Sequence, residues 1–127
     1  MESNNHDRII HFIKEWWEHV GTAATSAESR NYLRKHMSNE FQQVTIGGSY
    51  TTREQVVTHL QLIHLKGGYT LHDFHIKYNY PIATVTYLAS NEKEHIDGNK
   101  ISENSVLHLA VINLDTNKLI AWANMSK

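Results

Sequence analysis

Apolar residues recur along the chain with two different periods, and the change from one to the other falls near Gly68. From Asn5 to about Gly21, the residues Ile9, Ile10, Phe12, Ile13, Trp16, Trp17 and Val20 share one broad arc of a helical wheel, with Arg8, His11, Lys14, Glu15 and Glu18 opposite. That pattern predicts an amphipathic helix. Ser26 can cap a second, shorter helix through Tyr32, Leu33 and about Met37. Thr52, with Gln55 three positions on, reads as a capping box that opens a third helix, expected to end at Gly67-Gly68. Between the second and third helices, Phe41 to Ile46 is a short extended run closed by Gly47-Gly48, which predicts a small strand or hairpin.

After Gly68 the period becomes two. Tyr69 to Tyr80, Ile82 to Ser90, Glu103 to Leu114 and Lys118 to Met125 are rich in β-branched and aromatic residues, and turn-forming or polar stretches separate them. Short connections imply antiparallel neighbours. The expected fold is therefore α+β, with three N-terminal and middle helices packed on a four- to six-stranded antiparallel sheet. The longest polar stretch, Asn91 to Lys100, is expected to be a mobile hairpin loop.

Both parities of the last strands are apolar. Val106, Ala110, Ile112 and Leu114 alternate with Leu107, Leu109 and Val111, and Leu119, Ala121, Ala123 and Met125 alternate with Ile120 and Trp122. A half-exposed sheet would alternate cleanly, so the face away from the helices needs a cover, and a second copy packed sheet to sheet is the expected one.

The 127 residues, 40% hydrophobic and 20% charged, suit one domain spanning 1–127. A formal charge of −1 supplies no net field for nucleic acid or an anionic membrane, and neither is an expected partner. No window approaches the roughly 18 apolar residues of a membrane span. The polar start, Met1-Glu2-Ser3-Asn4-Asn5, lacks the pattern of a secretory signal, so the expected location is cytoplasmic.

Ten histidines without a cysteine invite a metal hypothesis. Their spacing does not support one: His11, Glu15 and His19 lie on the polar side of the first helix, and His72 and His75 point to opposite faces of a strand. No metal and no cofactor is expected. Asp73 and His75 share a strand face and could act as an acid–base couple, although that face, with Leu71, Lys77 and Asn79, also reads as the polar outside. His64 falls in the buried arc of the third helix, beside Val56, Val57, Leu60 and Ile63. His108 lies on the Val106, Ala110, Ile112 face. If that face is concave, His64, His108, Trp122 and Tyr78 converge; if it is the dimer face, His108 and Trp122 become interface residues.

Met37-Ser38-Asn39-Glu40-Phe41, followed by Gly47-Gly48-Ser49-Tyr50-Thr51-Thr52-Arg53-Glu54-Gln55-Val56-Val57, resembles the Asp/Glu-Phe strand, glycine turn and G-R-E-x-I helix of the nuclear transport factor 2-like superfamily, in particular its SnoaL-like branch. Leu114-Asp115-Thr116-Asn117-Lys118-Leu119-Ile120 similarly resembles that branch's D-G-K-I hairpin. The resemblance implies a cone, or cystatin-like roll: a curved sheet wrapped around a long helix, with an apolar pocket and frequent dimerisation through the sheet. The family's enzymes place one ionisable group in that pocket to remove a proton next to a carbonyl. Two departures matter. The usual glycine before Arg-Glu is Thr52, and Trp122-Ala123-Asn124-Met125-Ser126 lacks the acid that SnoaL-like cyclases carry there.

The reading is a cone that binds a small apolar ligand and transfers a proton on an apolar carbonyl compound. His64, His75, His108 or Asp73 would carry the chemistry, and Trp16, Tyr50, Tyr78 and Trp122 would line the pocket. The alternative is a non-catalytic dimeric ligand-binding or protein-interaction module.

Overall fold

The structure, a computed structural model, describes residues 2–44 and 50–124. Its helices are α1 (Glu2–Thr22), α2 (Ala27–Lys35) and α3 (Arg53–Leu60), and its strands are β1 (Met37–Val44), β2 (Tyr50–Thr52), β3 (Ile63–Asn79), β4 (Ile82–His95), β5 (Lys100–Asn113) and β6 (Lys118–Asn124). One six-stranded sheet runs in the order β2-β1-β6-β5-β4-β3. Every pairing is antiparallel except that of β1 with β6, which is parallel because β1 returns from α2 to the far edge of the meander.

The helices begin where their caps place them. Ser26 Oγ accepts from Ser29 N at 3.1 Å, and at α3 Thr52 N donates to Gln55 Oε1 (2.9 Å) while Gln55 N donates back to Thr52 Oγ1 (3.4 Å). On α1, Ile9, Phe12, Ile13, Trp16, Trp17 and Val20 are buried against the sheet. Strand β4 alternates without interruption, turning Ala83, Val85, Tyr87, Ala89 and Asn91 toward α1.

Its neighbours do not alternate cleanly. In β3 one extra residue is accommodated between His72 and His75, where Asp73 takes φ 58°. In β5 the register slips between Glu103 and Val106, where Ser105 takes φ 52° and donates its N–H to Ser90 Oγ at 2.8 Å. A further slip in β6 falls between Leu119 and Ala121. Each bulge exchanges the faces of the residues beyond it.

Several expectations are corrected on this basis. Tyr69 and Leu71 pack on the core before the first bulge, and Phe74, Ile76 and Tyr78 do so after it, whereas His72 is exposed. Leu119 is buried with Trp122 rather than grouped with Ala121 and Ala123. The third helix stops at Leu60, so Ile63 and His64 open β3, and Gly68, at φ 83°, serves a strand irregularity between Leu65 and Tyr69. A positive-φ glycine suits a strand bulge as well as a helix end, which is why the sequence pattern misassigns it. Asn91 to His95 continue β4, leaving Ile96 to Asn99 as the turn; polar side chains suit strand ends that reach into solvent. The expected hairpin before α3 is formed by β1 and β2, and Gly47-Gly48 lies outside the described residues.

Asp73 gives a direct test of face exchange. Asp73→Gly, which removes the cost of a positive φ, should melt at or above the wild-type temperature, by up to about 1 kcal/mol of added stability. Deleting residue 73 should leave a regular ladder in which Phe74 falls opposite Tyr87 and Phe74, Ile76 and Tyr78 still face the core, so cooperative thermal unfolding followed by circular dichroism should persist.

Candidate functional site

Four rings stack across the concave face of the sheet, one each from β3, β4, β5 and β6. Phe74 lies 5.5 Å from Tyr87, Tyr87 lies 5.3 Å from His108 at 9° between planes, and His108 lies 5.5 Å from Trp122. Trp17 of α1 meets His108 and Trp122 edge-on at 5.3 and 6.1 Å, and Trp16 meets Trp122 edge-on at 6.4 Å. The concave face is therefore the one that carries His108 and Trp122. Rings fill the space between it and this part of α1.

Two buried hydrogen bonds orient the stack. Trp17 Nε1–H donates to Tyr87 OH at 2.9 Å, and Trp122 Nε1–H donates to His108 Nδ1 at 3.0 Å. An indole nitrogen only donates, so His108 Nδ1 must present its lone pair and the ring carries its hydrogen on Nε2. That nitrogen has no hydrogen-bond partner and lies 3.9 Å from Glu103 Oε2. The same carboxylate oxygen accepts from Asn91 Nδ2 at 3.1 Å. His108 is 1% exposed and the Glu103 side chain 10%, so the carboxylate stands between the ring and the surface. Glu103 and Asn91 line an open groove of about 380 Å³, with Tyr69, Ser90, Ser102 and Asn104 among its other walls.

The sequence pattern did not single out Glu103. It stands five residues before His108, and strict alternation would put the two on opposite faces; the bulge at Ser105 brings them to one. The available signal was the polar run Ser102-Glu103-Asn104-Ser105 ahead of the apolar stretch that begins at Val106.

Of the residues expected at a site, Trp16, His108 and Trp122 are brought together. Tyr78 is half-buried against the core, 6.3 Å from Tyr80. Asp73 and His75 are exposed on β3. His64 pairs with Glu94 through the backbone, and Tyr50 pairs with Val44. The side chains of His64 and Tyr50 lie outside the described residues. Among the described residues no cluster of three or more histidine and carboxylate side chains could hold a metal ion, and no helix is long and apolar enough to cross a membrane.

This architecture matches solved structures along nearly its whole length. A protein of Cytophaga hutchinsonii described as nuclear transport factor 2-like superposes with a TM-score of 0.82 at 17% identity, covering 96% of this chain and 98% of that one. The chain has the nuclear transport factor 2-like, cystatin-like fold. A putative calcium/calmodulin-dependent kinase II association domain from Exiguobacterium sibiricum matches at TM-score 0.79 and 10% identity, covering 95% and 92% of the two chains. A putative SnoaL-like polyketide cyclase from Jannaschia is more distant, at TM-score 0.56 and 10% identity over 91% and 83%. No protein-family model and no curated protein matches the sequence. Such identities establish a shared fold and leave the chemistry to the side chains.

The phenols beside the site are held protonated. Burial raises Tyr87 well above its ordinary value of 10.0, and the Trp17 N–H only partly offsets this. Tyr69 is raised by burial, by its 2.6 Å hydrogen bond to Glu18 and by the charges of Glu18 and Glu15. A value raised in the folded state contributes stability that is complete below about pH 10 and declines as pH rises beyond it, because the unfolded tyrosine ionises first. Urea unfolding between pH 8 and about 11 should show that decline. Tyr87→Phe should make it shallower, leaving the part due to Tyr69, at a cost near neutral pH of about 1–3 kcal/mol for leaving the Trp17 N–H buried without an acceptor.

Proposed function

We propose that this chain is a small-molecule-binding cone protein that transfers a proton on a carbonyl compound, with Glu103 as the base. The observation that carries the reading is the buried His108–Glu103 pair, which opens through the carboxylate onto the groove beside Tyr69. Glu103 would take a proton from the carbon next to the carbonyl, and the C–H electron pair would move onto the carbonyl oxygen as an enolate. His108 is a positioning residue: its ring, fixed by Trp122, sets the protonated Nε2 3.9 Å from the carboxylate, while Asn91 donates to the same oxygen. Hydroxyl, amide and carboxylate groups in the groove favour a more polar carbonyl compound than the sequence pattern suggested.

The second reading, binding without chemistry, is favoured by the rings that occupy the space between α1 and the sheet. Hydrogen–deuterium exchange next to the carbonyl, followed by NMR over a panel of small ketones and keto acids, separates the two. Glu103→Gln should slow exchange about 100-fold or more, and His108→Gln should move the pH–rate profile. Binding with no exchange by the wild type, or exchange that Glu103→Gln leaves intact, would overturn the catalytic reading.

The convex face supports a homodimer. Leu88, Leu109, Val111, Ala121 and Ala123 are only half-buried there, and Leu107 is 40% exposed. Such a stripe suits sheet-to-sheet packing of two copies. Sedimentation should give a dimer mass for the wild type and a folded monomer for Leu107→Glu combined with Leu109→Glu.

A further inference from the structure

A second cavity, of about 460 Å³, lies at the opposite edge of the sheet and takes no part in the site above. Its volume is within the range of small-molecule sites, about 300–1,000 Å³. The end of α2 contributes Arg34, Lys35 and His36, the start of α3 contributes Arg53, and the β5–β6 turn contributes Asn117 and Lys118. Four permanent cations thus meet at one concavity on a chain whose formal charge is −1. The carboxylate among them is Glu54, which the two arginines share, at 3.3 Å from Arg34 Nε and 3.8 Å from Arg53 Nε.

Helix electrostatics explains only half of this charge. Arg34 and Lys35 occupy the last turn of α2, where the helix dipole favours cations. Arg53 is the first residue of α3, where the dipole disfavours one, and Lys118 is in no helix. Neither Lys35 nor Lys118 has an ion-pair partner among the described residues.

The cations are also held in place. Arg34 Nη1 donates to Asn31 Oδ1 at 3.2 Å and its Nε to Glu54 Oε2 at 3.3 Å, while Arg53 Nη1 donates to Asn39 Oδ1 at 2.6 Å and its Nε stands at ion-pair distance from Glu54, so both guanidinia keep Nη2 without a bond among the described residues. Leu119 N donates to His36 O at 2.7 Å, tying the start of β6 to the end of α2 and setting Lys118 beside Lys35. The turn is braced by Asn113 Oδ1, which accepts from the backbone of Asp115 and Thr116 at 2.9 and 3.2 Å. Its one acid, Asp115, is engaged by the Tyr80 hydroxyl at 3.0 Å and does not line the cavity. Pre-set guanidinium forks with two free ammonium groups match the oxygens of a phosphate chain.

We infer that Arg34, Lys35, Arg53 and Lys118 form a binding site for the di- or triphosphate group of a phosphorylated ligand. A monoanion would leave most of this charge uncompensated, whereas a pyrophosphate group would balance it.

Calorimetric titration with inorganic pyrophosphate at low ionic strength tests this, with inorganic phosphate in parallel. Pyrophosphate should bind more tightly than phosphate, and added salt should weaken it. Lys118→Gln and Lys35→Gln, which break no bond of the fold, should each weaken it about two- to fivefold, and Glu54→Gln should strengthen it by a similar factor. Flotation with vesicles carrying a phosphorylated inositol lipid, lost in the double lysine variant, would place the phosphate on a lipid headgroup; pyrophosphate binding without flotation would place it on a soluble ligand. Either result upholds the site. No binding at millimolar pyrophosphate, or an affinity that the three substitutions leave unchanged, overturns it.

Discussion

Trp17 is the residue on which the two layers of the molecule close. From the buried arc of α1 it reaches the ring stack of the sheet, edge-on to His108 and Trp122, and donates its N–H to Tyr87. Large aromatic rings bury about 150–250 Å² each, worth at most about 4–6 kcal/mol per ring at 25 cal/mol per Å². The two indole hydrogen bonds add little net energy by comparison. Their effect is to select one arrangement, because a buried N–H facing the wrong neighbour would lose its partner at a cost of about 1–3 kcal/mol. The helix is thereby set against β4, and His108 in a single tautomer.

Fixing the helix on an alternating β4 obliges the strands beside it to present rings and aliphatic side chains to the same side. Neither β3 nor β5 can do so by strict alternation over its full length. The sequence of β3 places Tyr69 and Leu71 on one parity and Phe74, Ile76 and Tyr78 on the other, and only an inserted residue reconciles them. This is also where reading the sequence failed. The helix starts at Ser26 and Thr52 and the antiparallel neighbours among β3 to β6 were legible, because capping residues and short connections are local signals, whereas the end of α3 and the parallel pairing of β1 with β6 were not. The bulges at Asp73 and Ser105 carry no glycine and leave no such mark; their positive φ is imposed by packing on both sides of them. At Gly68 the mark existed and was assigned to a helix end.

The candidate site inherits the same ambiguity. His108 and Trp16 were legible because each lies on an uninterrupted stretch of its element, and Trp122 because it lies beyond the slip in β6, opposite Ala110 on the face of His108. Glu103 was hidden by the bulge between it and His108. Asn124, directly opposite His108 on β6, stands in the region where the resemblance leads one to expect a carboxylate, and its side-chain oxygen is buried without a hydrogen-bond partner.

Access to that carboxylate is controlled from the helix side. Tyr69 lines the groove of Glu103 and also a second groove of about 300 Å³ formed with Lys14, Glu15, Glu18 and Leu71. Its ring packs 5.7 Å from Trp17, and its hydroxyl is bound to Glu18. The residue that walls the groove is therefore in contact with the residue that closes the core. A ligand that moved Tyr69 to reach Glu103 more deeply would have to break the Glu18 hydrogen bond and disturb the packing of Trp17, so depth of entry is coupled to the stability of the helix–sheet contact. A ligand held at the groove's polar rim, against Ser90, Asn91 and Glu103, incurs neither cost.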